Sequence, residues 1–283
     1  MRKILITGCS SGFGEDIAKQ LLEDSSNFII ATMRNADNRE HSLKSLNKDN
    51  LVILPLDITN KEERKKVLNY INEKHDGKLD ILINNAGHGL YGALELTSEE
   101  QLRDQMEVNF FGTAMMIKEF LPALRKSDSK DKKIINISSM LGQTGMPLSA
   151  SYSASKHALE GLVEGLHFEL APLGIDILTI CPGRHRTNFM KSVQWSENED
   201  AEGIYIAQTD NLKKLMQKFA TGKEIPLSNV SNKVVRIINS KKFVARTYVG
   251  NDANSFYILR KLLPFNILMK YIRILYSKMV SAS

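Results

Sequence analysis

The chain has 283 residues, 42% apolar and 25% charged, enough to bury the core of one large domain or two small ones, and no low-complexity segment or internal repeat interrupts it. Two cysteines, Cys9 and Cys181, are too few for a disulfide framework or a thiolate metal cluster, which suits a reducing compartment. The net charge of +6 is not a nucleic-acid footprint: Arg260, Lys261, Lys270, Arg273 and Lys278 follow Asp252 with no acidic residue after it, and the remaining basic residues nearly balance the 32 acidic ones.

In chain order, Met1 leads almost directly into the apolar run ILIT, which leaves no room for a charged region and a cleavable signal, so a cytoplasmic location is expected. The predicted strands are KILIT (3–7), NFIIAT (27–32), LVILP (51–55), LDILIN (79–84), KIINIS (133–138), IDILTIC (175–181) and FVARTYV (243–249). They are nearly continuous apolar runs, as strands covered on both faces should be. Helical patterns lie between them, such as Ile17, Leu21 and Leu22, or Val67, Leu68 and Ile71. This alternation predicts an α/β protein with a doubly wound parallel sheet of about seven strands and helices on both faces. Such sheets bind ligands beyond the carboxyl ends of their strands.

The first strand runs into TGCSSGFG: Thr7, Gly8, Ser10, Ser11, Gly12, Phe13 and Gly14, leading into a helix. Glycines there let backbone approach a pyrophosphate, and a helix N-terminus offers unpaired N–H groups and a positive dipole end. The spacing G-x-x-x-G-x-G departs from the general G-x-G-x-x-G fingerprint, and a tight strand–helix connection is the alternative reading. The second strand ends ATMRN, with Met33 where an acid would meet an adenosine 2′-hydroxyl and Arg34 next to it. A guanidinium binds a 2′-phosphate that a carboxylate would repel, so NADP(H) is expected over NAD(H); a solvated surface arginine is the alternative.

Further on, SYSASKHALEGL places Tyr152 and Lys156 at i and i+4, on one face of a helix. Alone, the pair is either a surface coincidence or an acid–base couple. With NNAG (Asn84–Gly87, hence Asn85, Ala86 and Gly87) the sequence resembles the short-chain dehydrogenase/reductase family, on its hydroxysteroid- and retinol-dehydrogenase-like branch. The resemblance runs motif by motif from residue 3 to about 190. It implies a single-domain Rossmann fold. It implies that LDIT supplies Asp57, with Ile58 beside it, to the adenine, and that VNFFGT supplies Asn109. Ser139 ends NISS, and CPGRHRTNF brings Pro182, Gly183 and Thr187 to the nicotinamide. By the same resemblance Tyr152 is the general acid–base, Ser139 binds the substrate oxygen, Lys156 binds the ribose and lowers the tyrosine pKa, and Asn109 holds a proton-relay water. The physics agrees in direction: a free tyrosine titrates near about 10, and a fixed ammonium, with the positive nicotinamide of the oxidised cofactor, favours the phenolate. The implied reaction interconverts a carbonyl and an alcohol by hydride transfer. An epimerase or dehydratase, and a cofactor sensor without turnover, are the alternatives.

His157 and His167 are expected to pack or face solvent; His185 either touches the nicotinamide or is solvated. Residues 188–226 carry Phe189, Met190, Trp195, Tyr205, Leu212, Leu215 and Phe219, which suits a lid over a hydrophobic substrate, although helical spacing alone would place Leu212, Leu215, Met216 and Phe219 in any core-facing helix. With a domain expected over 1–255, residues 256–283 form a basic tail with Leu268, Tyr271, Ile272 and Leu275 as one stripe after Pro264. Such a helix docks on the domain, pairs with another subunit, or lies on an anionic membrane surface. The resemblance implies a homodimer or homotetramer acting on a small molecule; no metal and no nucleic acid are expected.

Overall fold

The computed structural model of the chain describes residues 1–36, 41–185, 193–221 and 226–281. The elements follow in order: β1 (Arg2–Ile6), α1 (Gly12–Leu21), β2 (Asn27–Met33), β3 (Leu51–Pro55), α2 (Lys61–Lys74), β4 (Ile81–Asn84), β5 (Leu90–Tyr91), α3 (Glu99–Met106), α4 (Thr113–Lys126) and β6 (Lys132–Ile137). Then come α5 (Ala150–Leu170), β7 (Ile175–Pro182), β8 (Gln194–Trp195), α6 (Ile206–Thr221), α7 (Ser228–Ile238), β9 (Arg246–Val249), α8 (Asn251–Leu262) and α9 (Phe265–Ser281).

Seven strands form one parallel sheet in the order β3-β2-β1-β4-β6-β7-β9. The chain starts in the middle, winds to one edge, and returns across β1 to build the other half. The crevice at that reversal, beyond β1 and β4, is where a sheet of this kind accommodates a ligand.

Side-chain alternation along each strand sorts the two core layers. Ile4, Ile6, Ile29, Ala31, Ile81, Ile83, Leu178 and Ile180 pack with Ile17 and Leu21 of α1 and Val230 and Val234 of α7. The opposite parity, Leu5, Ile30, Leu82, Ile134 and Ile177, packs with Val67 and Ile71 of α2, Met116 and Phe120 of α4, and Leu159 and Val163 of α5. Both faces are covered, which explains the unbroken apolar runs.

Three details differ from the sequence reading. FVARTYV is a strand only over β9, because β9 pairs with β7 only from Thr179 to Pro182, while exposed Phe243 stacks on His167 at 4.7 Å. The two-residue strands β5 and β8 pair with each other outside the main sheet, too short to show a period. In α9, Leu268 and Ile272 are buried but Tyr271 faces outward, so the inward stripe is narrower than the spacing suggested; the Leu275 side chain lies outside the described residues.

Candidate active site

Beyond β1 the chain turns at Gly8 (φ 72°) and Gly12 (φ 66°), both in the left-handed region that glycine tolerates best. A Cβ on Gly8 would lie 2.8 Å from the Ala86 Cα, and one on Gly14 would overlap the Asn85 amide and the Gly8 carbonyl. Hydrogen bonds fix the same approach: Thr7 Oγ1 accepts from the N–H groups of Asn85 and Ala86 at 3.0 Å, and Asn85 Nδ2 donates to the carbonyls of Thr7 and Gly8 at 2.9 Å. Ser11 caps α1 without a side-chain bond, and Ser10, Ser11 and Gly12 are half-buried. This bare backbone at a helix N-terminus is a cradle that fits a pyrophosphate. Phe13 packs against the first core layer and meets His185 edge-on at 5.4 Å, which brings the turn against the segment after β7.

Arg34 is exposed one residue past β2. Asp57, two residues past β3, is half-buried, and its Oδ1 accepts from Thr59 N at 2.9 Å and Thr59 Oγ1 at 2.7 Å. Ile58 is buried, and its carbonyl accepts from Arg64 Nη1 at 2.7 Å. A Cβ on Gly87 would lie 2.9 Å from Asn109 Oδ1 and 3.7 Å from Lys156 Nζ, so the NNAG turn reaches both side chains.

Asn109 sits in a π-helical segment, Glu107–Gly112, between α3 and α4. Such segments recur at functional sites because the widened turn re-aims a side chain. Asn109 is buried; its Nδ2 donates to His88 O (2.9 Å) and Ser155 Oγ (3.0 Å), and its Oδ1 accepts from His88 N (3.1 Å). Ser155 Oγ in turn donates to Tyr152 O at 2.8 Å, tying this segment to the start of α5.

Ser139 follows β6 and caps a short turn, where Oγ accepts from Leu141 N at 3.1 Å; it also hydrogen-bonds the Tyr152 phenol. Ser138 turns toward Gly142 instead, 2.9 Å from where a Cβ there would stand. Tyr152 and Lys156 are buried on one face of α5, with Lys156 Nζ 5.9 Å from the Tyr152 ring centre and donating to Ile137 O at 3.1 Å. Burial dominates both groups. It raises the Tyr152 pKa to about 12 against the Ser139 hydrogen bond, and lowers the Lys156 pKa to about 8 against the pull of Glu160. The expected lowering of the tyrosine pKa is therefore not a property of the protein alone, because desolvation of the phenol outweighs its neighbours.

Pro182 ends β7, and Gly183 N donates to Val249 O at 2.8 Å. A Cβ on Gly183 would overlap the carboxylate of Asp252 in α8, whose Oδ2 accepts from Arg184 N (2.8 Å) and Nε (3.1 Å). His185 Nδ1 lies 3.1 Å from Gly183 O. His157 is exposed, and its Nδ1 lies 2.8 Å from Ser153 O. Thr187, Phe189 and Met190 lie outside the described residues, as does the Phe219 side chain. Burial raises the Cys9 pKa to about 12, which leaves it a protonated thiol.

Two groups beside the site escaped the sequence reading. Glu160, buried one turn beyond Lys156, accepts from Arg246 Nε at 2.6 Å, Thr179 Oγ1 at 3.2 Å and Gln143 Nε2 at 3.2 Å. Its spacing of four from Lys156 was the available signal. Tyr91 stacks on Tyr152 at 5.7 Å and meets Trp195 at 6.2 Å, so β5 and β8 carry an aromatic wall beside the phenol. Tyr91 follows the NNAG turn in a two-residue strand, and nothing in its spacing marked it.

A glycine cradle at the reversal of a parallel sheet, with a serine, a tyrosine and a lysine gathered beside it, defines a nicotinamide-dependent oxidoreductase. The family model for short chain dehydrogenases matches residues 2–198, and the chain belongs to that family, whose members act on CH–OH and C=O groups. It is 35% identical over 280 residues to 3-ketodihydrosphingosine reductase of Bacteroides thetaiotaomicron, covering 97% of each chain. It is 33% identical over 224 residues to mitochondrial D-beta-hydroxybutyrate dehydrogenase of Mus musculus, covering 77% of this chain and 63% of that one. A short-chain dehydrogenase from Streptomyces avermitilis superimposes with a TM-score of 0.79 at 29% identity, covering 100% of this chain and 98% of the other.

Proposed function

We propose that the protein is an NADPH-dependent reductase that interconverts a carbonyl and an alcohol on a hydrophobic substrate, with Tyr152 as proton donor and acceptor. The observation that carries this reading is the Ser139–Tyr152 hydrogen bond at the carboxyl end of β6, beside Lys156 and the NNAG turn. When bound, the nicotinamide supplies the hydride that the carbonyl carbon accepts. The protein supplies position and the proton. Ser139 Oγ holds the substrate oxygen next to the phenol. Tyr152, protonated at neutral pH because burial raises its pKa, is in the form that reduction consumes. Lys156 holds positive charge below the phenol, which favours the phenolate left after transfer. Asn109, locked to the His88 backbone at both ends of its amide, keeps the floor of the site in register.

The cradle around Gly8, Gly12 and Gly14 would hold the pyrophosphate, and exposed Arg34 would meet a 2′-phosphate. Tyr91 and Trp195 give the substrate side an apolar wall. The name of the Bacteroides relative points the same way, to a ketone on a long apolar chain. The test is a panel of ketones and aldehydes followed by the loss of NADPH absorbance. Turnover of long-chain or polycyclic carbonyls with NADPH is expected; NADPH binding without turnover on any carbonyl would refute it.

A further inference from the structure

We propose that the helix pair α8–α9 is a docking platform for an anionic bilayer surface, a role that stands independently of the reaction proposed above. Only Ala253, Leu268 and Ile272 of the described side chains in these helices are buried. Large apolar side chains remain in solvent: Leu262 is 74% and Phe265 62% exposed on either side of the turn at Pro264. Ile258 and Leu262 lie at i and i+4 on α8, and Ile267, Tyr271 and Ile274 lie at i, i+4 and i+7 on α9. Two helices thus each present an apolar stripe to water.

Charge selects the occupant. Lys261, Lys270 and Arg273 are exposed among those apolar residues, and the chain carries no acidic residue after Asp252. A second copy meeting this surface about a twofold axis would bring cations onto cations, since the one carboxylate of the two helices, Asp252 at the start of α8, is already paired with Arg184. A leaflet of anionic lipid offers acyl chains to the stripes and headgroup charge to the cations. Among the described residues, no helix is long and apolar enough to cross a membrane, so the platform lies on the surface. Its place in the fold gives the contact a use. α6 packs on α9, Lys213 of α6 sits 5.1 Å from the Trp195 ring centre, and Trp195 and Tyr91 lead to Tyr152. α6 therefore links the platform to the apolar side of the site.

The full chain is sedimented with vesicles of phosphatidylcholine alone and of phosphatidylcholine mixed with phosphatidylglycerol. Binding to the mixed vesicles is expected, weakened by added salt. Each neutralised cation should weaken partitioning about fivefold, so Lys270→Gln/Arg273→Gln should bind about twenty-five-fold less. Leu262→Gln/Phe265→Gln, at exposed positions that leave thermal stability unchanged, should bind more than about a hundredfold less. No binding to mixed vesicles, equal binding to both vesicle types, or binding indifferent to these substitutions would overturn the proposal. So would a dimer in light scattering that the same substitutions dissolve, since it assigns the surface to a second copy.

Discussion

Lys156 is held in the folded protein at an energetic cost, and removing its charge should expose that cost. Burial brings its pKa from 10.5 to about 8, so keeping it protonated at neutral pH costs about 3 kcal/mol. Lys156→Met fills nearly the same volume without a charge. It also removes the donor to the Ile137 carbonyl, which returns about 1 kcal/mol of the gain. Glu160 keeps Arg246 as its partner. The net stabilisation is about 2 kcal/mol, a rise in Tm of about 4–8 °C for a chain of this size. The sign with pH follows from the lowered pKa. Between about 8 and 10.5 the folded wild type binds fewer protons than its unfolded chain, so wild-type stability rises with pH there and the advantage of the methionine shrinks. Thermal unfolding of both proteins without cofactor, at pH 7 and pH 10, followed by circular dichroism, measures this. Turnover should be lost in the same variant, a trade of stability for function. A methionine variant less stable than wild type by the same margin at both pH values would refute the assignment of burial as the dominant force on Lys156.

Two other substitutions test the cofactor half of the site. Arg34→Asp should shift the ratio of catalytic efficiencies from NADPH toward NADH by at least about tenfold, the effect of replacing a charge-assisted partner of a phosphate with a repelling carboxylate; an unchanged ratio in steady-state kinetics would remove Arg34 from the site. Gly14→Ala forces a methyl group against the Asn85 amide and the Gly8 carbonyl, so a loss of about 3 kcal/mol and weaker NADPH binding are expected. A wild-type melting temperature with unaltered fluorescence titration would show that α1 does not approach the NNAG turn so closely.

The sheet was legible because burial on both faces leaves a plain signature, a run such as Lys3–Thr7 or Ile175–Cys181 with no polar alternation. Gly8, Gly12 and Gly14 were legible for a related reason: the backbone path they follow excludes a Cβ. The Glu160–Arg246 pair was not, because its partners come together only when β9 joins β7 across 86 residues of chain. The ammonium beside Tyr152 was legible from spacing, whereas the desolvation that raises the phenol's pKa in the protein alone depends on what covers the first turn of α5. In α9 the apolar spacing gave the helix, but not which of its apolar residues face the protein. Tyr271 belonged to the proposed stripe by position and to the solvent by packing.

In the proposed reaction a phenol held by Ser139 beside Lys156 passes a proton to or from the substrate oxygen. Tyr152→Phe, measured by NADPH fluorescence titration and by turnover of the best carbonyl substrate, tests that transfer. NADPH affinity should stay within about threefold of wild type while turnover falls by at least about a hundredfold, the contribution expected of a positioned general acid. Turnover close to wild type with the phenylalanine would contradict it.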